Sequence, residues 1–146
     1  MSSAAASADA EDRRFREAFA TGAMHPRDFR HRDHLRLAYV CLSDESYDAA
    51  LITFRRLLRE FLQRHRTDPN KYHETLTCAW LQTVALHMAR TPGTFSFADF
   101  VARHPALLDS NLIFTHYSRD RLISVDARER FIAPDLQPIL NHSCRS

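Results

Sequence analysis

The chain has 146 residues, with 20 Lys and Arg against 18 Asp and Glu, nine His, and a formal net charge of +2. That length suffices for one domain with a core of its own, needing no disulfide or metal staple to fold. Two glycines argue against a β-sandwich or a dinucleotide-binding fold, whose turns and phosphate loops depend on that residue, and a charge so near zero names no polyanionic partner.

Residues 1–8 are small and polar and are expected to be disordered, leaving 9–146 as a single helical domain. The stretch MSSAAASADAEDRR, residues 1–14, lacks the basic start and apolar core expected of a signal peptide. Residues 9–21 place Phe15 and Phe19 at i, i+4 among alanines, with Gly22 as the stop. After a loop holding Pro26, a second helix is expected from His31 to Leu42, broken by Ser43 and Asp44. Ser46 or Asp48 then caps a third, 47–65, with Leu51, Phe54, Leu58 and Phe61 or Leu62 on one stripe. Thr67 to Asn70 form a turn, and a long fourth helix is expected from Lys71 to about Arg90, ended by Pro92-Gly93. Ser96 caps a short helix over FADFVAR, stopped by Pro105, and a further helical piece spans 106–118. The tail has helical turns around 119–123 or 125–131, and IAPDLQPIL should wrap extended against the body. The sum is an all-α bundle of four to five main helices with an irregular C-terminal arm. No apolar run approaches the length of a membrane span.

Only Lys71 among the basic residues is lysine, a bias that GC-rich codons explain. Cys41, Cys78 and Cys144 are scattered, without C-x-x-C, and read as reduced thiols of a cytoplasmic protein.

The histidines carry the functional argument. In the second helix His31, His34, Leu35, Ala38, Cys41 and Leu42 share one face, so both rings point toward the core. His73, Thr77, Trp80, Val84 and His87 share a face of the fourth helix. His73, like His31 and His34, sits in a first turn following a loop, so the three rings can line one cavity mouth. His87 lies about 21 Å further along at a 1.5 Å rise per residue and belongs elsewhere. Three imidazoles suit a mononuclear transition metal, Fe, Cu or Zn, with an open position for chemistry. Glu74 is then the base to a metal-bound water, or the group that orients a ligand ring. Tyr72, Thr77 and Trp80 can line a substrate pocket, Arg119 or Arg128 can clamp an anion, and His116 is a spare ligand. The competing account makes the histidines helix caps or acid–base groups of a metal-free pocket. H-x-x-H is a short, weakly specific pattern.

The motifs F-x-H-x-x-H-L (Phe29, His31, His34, Leu35) and K-Y-H-E-T (Lys71 to Thr75), with Y-S-R (117–119) and A-P-D-L (133–136), resemble those of a group of small uncharacterised bacterial proteins. The resemblance implies a compact stand-alone domain and no particular reaction.

The leading expectation is therefore a small metal-dependent enzyme acting on a small polar or anionic molecule, with redox or oxygenase chemistry ranked ahead of hydrolase or lyase chemistry. The alternative is a non-enzymatic helical module that senses a ligand or metal or binds a partner. A nucleic-acid role through Arg55, Arg56 and Arg59 ranks last. No membrane partner is expected, and a homodimer is allowed.

Overall fold

The computed structural model describes residues 6–139. Among them are helices and 3-10 turns and no strand. The α-helices are α1 (Ala10–Thr21), α2 (His31–Asp44), α3 (Tyr47–Arg64), α4 (Glu74–Arg90), α5 (Phe97–Arg103), α6 (Arg119–Leu122) and α7 (Val125–Glu129). The all-α expectation holds, and α1, α2, α3 and α4 form the bundle around one core. No helix is long and apolar enough to cross a membrane.

Local signals explain most boundaries. Asp9 caps α1 by accepting from the Asp12 backbone N–H, and Asp12 returns the bond to the Asp9 N–H, a reciprocal capping box. Gly22 ends α1 at φ 85°, a left-handed conformation open to glycine at little cost. Ser46, Ser96, Ser118 and Ser124 cap α3, α5, α6 and α7 through their hydroxyls. The α3 stripe is buried as expected, with Leu57 added to it.

Two boundaries differ from the sequence reading. Ser43 and Asp44 do not break α2. The Ser43 hydroxyl donates back to the Tyr39 carbonyl, 2.8 Å away, which lets a serine remain helical. Asp44 is held by Arg13 and Arg16 of α1 at 2.7 and 2.8 Å. The fourth helix starts at Glu74, not Lys71. Pro69–Lys71 is a 3-10 turn and His73 is the N-cap.

The N-terminal segment also departs from expectation. Residues 1–5 lie outside the described ones, but Ser7 is tied to the body. Its N–H donates to the Thr94 carbonyl at 2.8 Å, and its own carbonyl accepts from the buried Tyr39 hydroxyl at 2.7 Å. Backbone groups make these bonds, so the small polar composition concealed them. Cys41 is free and buried, and burial pushes its thiol up to about 12, leaving it inert. Cys78 is buried within α4, beside Arg55 and Glu74. Cys144 lies outside the described residues.

The first helix is locked by one buried carboxylate. Asp12 is 2% exposed. It accepts from Arg36 Nε of α2 at 2.9 Å and from the backbone N–H of Phe97, the first residue of α5, also at 2.9 Å. One side chain thus joins three helices. Removing it would leave a half-buried guanidinium and a buried amide without their acceptor. Asp12→Ala is expected to cost about 3 kcal/mol of stability, measurable by urea unfolding. A loss within the range of an exposed cap, about 1 kcal/mol, would contradict this assignment.

Candidate functional site

The helix α4 is buried along nearly its whole length, including Glu74, Thr75, Trp80, Gln82 and Thr83. A buried helix start needs partners for its orphan amides. His73 provides one: its Nδ1 accepts from the Leu76 N–H at 3.1 Å. The ring proton is therefore on Nε2, which donates to the Leu122 carbonyl at 2.8 Å. Burial lowers the pKa of His73, the Leu122 bond opposes that, and the Arg128 charge adds to it. Both ring nitrogens of this neutral imidazole are engaged.

Thr75 and Thr77 complete the turn. The Thr75 hydroxyl donates to the Arg130 carbonyl at 2.9 Å and accepts from the Ile132 N–H at 3.1 Å. The Thr77 hydroxyl donates to the His73 carbonyl at 2.8 Å. Through these bonds the first turn of α4 holds the C-terminal arm. The arm is closed further by Tyr117, whose hydroxyl donates to the Ile132 carbonyl, and by Asp135, which accepts from Ser118 twice.

Glu74, the expected base, is 5% exposed. It is ion-paired with Arg55 of α3 and accepts from the Tyr72 hydroxyl at 2.6 Å. Burial, and after it the bond to Glu74, push the Tyr72 phenol up to about 12, so it stays a donor. Arg59 lies over the Tyr72 ring at 4.5 Å. Arg56 pairs with Glu60 at 3.1 Å. The arginine patch of α3 is thus turned toward partners in its own chain. Glu74 acts as a tie between α3 and α4 and lines neither of the hollows described below.

The two α2 histidines sit differently. His31 is the first residue of α2, and its Nε2 lies 2.9 Å from the Leu107 carbonyl with the ring edge-on to Trp80 at 4.6 Å. The His34 ring makes no hydrogen bond to any described residue. Its ring packs edge-on to Phe54 at 5.1 Å and Phe29 at 6.0 Å. Burial, with the His31 charge as a lesser cause, lowers its pKa to about 4. Among the described residues no three His, Cys, Asp or Glu side chains gather as a metal-binding group. His116, the spare candidate, bonds the Gln137 carbonyl in the arm at 2.8 Å.

Two hollows flank the first turn of α4 and share His73 and Leu76 as their common wall. One, about 230 Å³, reaches His34, Phe29 and Phe61 and includes Tyr72 and Thr77. The other, about 630 Å³, opens between α4 and the segment 110–128, with Trp80, Ile113, Phe114 and Leu122 as its apolar surface and Arg119 and Arg128 as its cations. Arg119 lies 4.1 Å from the centre of the Phe114 ring, and Arg128 donates to the Asn70 carbonyl. The structure thus brings Trp80, Arg119 and Arg128 together and puts Tyr72 and Thr77 on the opposite side of the same turn. Sequence reading missed Phe114, Leu122 and Asn111 as cleft residues. The apolar 112–114 run was legible, but nothing local showed that it would face Trp80.

Comparison with protein-family models, with curated proteins and with solved structures finds no match.

Two outcomes follow. His73→Ala removes an N-cap and should cost about 1 kcal/mol, equally with and without a chelator or added Zn(II). A loss of stability seen only when Zn(II) is present would instead mark His73 as a ligand. For His34 the folded pKa lies below the ordinary 6.5, so the unfolded state binds the proton first. Stability should fall as pH drops below about 6.5 and level off below about 4, by up to about 3 kcal/mol. His34→Gln should flatten that part of the wild-type curve, and an unchanged slope would refute it.

Proposed function

We propose that this chain binds a small amphipathic anion in the cleft between α4 and the segment 110–128. The supporting observation is the make-up of that cleft: two arginines, Trp80 and Phe114, and no carboxylate among its lining residues. Its volume, about 630 Å³, falls in the range of small-molecule sites. Apolar surface would take the body of the ligand, and the guanidiniums would take a carboxylate or phosphate by charge-assisted hydrogen bonds. Both arginines are partly held in place, Arg119 on Phe114 and Arg128 on Asn70. Such anchoring reduces the entropy lost on binding.

The expected metal at His31, His34 and His73 is the weaker reading. To ligate, His73 would have to release either the α4 cap or Leu122. His31 retains only the nitrogen not turned to Leu107. The anion reading leaves these bonds intact and keeps the expectation of a small anionic ligand.

Trp80 is the only tryptophan, so its fluorescence reports on the cleft directly. Titration with 2-naphthoate should give a saturable change. Arg119→Gln/Arg128→Gln should weaken binding at least about tenfold, as expected for loss of charged hydrogen bonds, and uncharged 2-naphthalenemethanol should bind the wild type correspondingly less well. An unsaturable response, or equal affinity for the acid in the double variant, would overturn the proposal.

A further inference from the structure

The hollow on the His34 side stands apart from the anion cleft and does not depend on that reading. Its walls are Phe29, Leu58, Phe61, Leu62 and Leu76. Phe61 is fixed by stacking on Phe19 at 4.4 Å, and Phe29 lies 5.4 Å from Phe61, so this wall is a rigid aromatic slab. Most polar groups at the hollow are already used. Tyr72 donates to Glu74, Thr77 donates to the His73 carbonyl, and both His73 nitrogens are bonded. Lys71 lines it from an exposed position.

His34 is the exception. Phe29 and Phe54 crowd its ring, yet neither nitrogen bonds to any described residue. Neither nitrogen is sealed from access without a partner, as His65 Nε2 is. A ring so enclosed that keeps accessible nitrogens is open toward the hollow it lines. An apolar environment makes an unsatisfied imidazole costly, and a ligand or water that bonds to it recovers that cost. A neutral imidazole offers one donor and one acceptor and so calls for an uncharged partner group. An apolar cavity of about 150 Å³ is enough for benzene, so a hollow of about 230 Å³ has room for one substituted ring.

We infer that this hollow is a second binding site, selective for a single-ring molecule with one uncharged hydrogen-bonding group, a phenol being the simplest, with His34 as its polar contact.

The test uses phenol and benzene as probes and follows histidine ring nitrogens by NMR, with the His34 signals assigned from their loss in His34→Leu. Phenol should shift the His34 ring nitrogens saturably and bind about tenfold more tightly than benzene, the gain expected of one hydrogen bond. In His34→Leu the two probes should bind alike. Leu62→Trp, which fills the hollow from its half-buried rim and leaves His34 in place, should abolish both; this variant carries the test if His34→Leu does not fold. The proposal is overturned if phenol leaves the His34 nitrogens unmoved, if His34→Leu keeps the phenol preference, or if Leu62→Trp still binds phenol. The Trp80 response to 2-naphthoate should survive saturating phenol, so failure at one site is distinguishable from failure at the other.

Discussion

The rest of the structure depends on burying the start of a helix. A helix N-terminus exposes amides that water would ordinarily satisfy, and α4 enters the core at that very point. His73 caps it with one nitrogen and uses the other to hold Leu122. Thr75 then bonds to both sides of residue 131, through the Arg130 carbonyl and the Ile132 amide. The solution to a local backbone problem thereby positions a C-terminal arm about fifty residues away in sequence. The wall opposite Trp80 is the segment 110–128, which the His73 bond to Leu122 ties to α4.

The Glu74–Arg55 pair follows from the same burial. A carboxylate in a first turn favours the helix dipole, but one so deeply buried needs a close countercharge and further hydrogen bonds. Arg55 and Tyr72 supply these. The pair joins α3 to α4. The expected base is thus also a fastening between helices. The same holds for His31, which closes the gap between α2 and the turn at Leu107.

The two hollows owe their difference to what surrounds a shared wall. On the arm side, residues drawn from 110–128 bring two cations and no acid. On the α2 side, the aromatic slab and an imidazole bring almost no charge beyond Lys71. His73 and Leu76 separate a cationic environment from an apolar one across a single turn. That separation is a consequence of packing order, since Arg128 and His34 are far apart in the chain.

Periodicity and caps were legible before any coordinates. The i, i+4 phenylalanines with Gly22, the α3 stripe, the capping serines and the Pro92-Gly93 stop all act within a few residues, and so local sequence determined the all-α class and most boundaries. The exceptions turn on particular partners: Ser43 bonds back to the Tyr39 carbonyl, Asp44 is held by α1, and the His73 ring caps α4 from outside the helix. The candidate residues were recognised by type, but their hydrogen-bond partners were not. Imidazole serves as metal ligand, cap or pocket lining with the same atoms, and the choice rests on which groups lie within about 3 Å of each nitrogen. Those groups here are the carbonyls of Leu107 and Leu122, which carry no signature in the sequence. The sequence by itself determined that polar rings would enter an apolar helical core; only the tertiary structure decided which of them are bonded and which is left facing open space, because hydrogen bonds to distant backbone are set by packing and not by spacing.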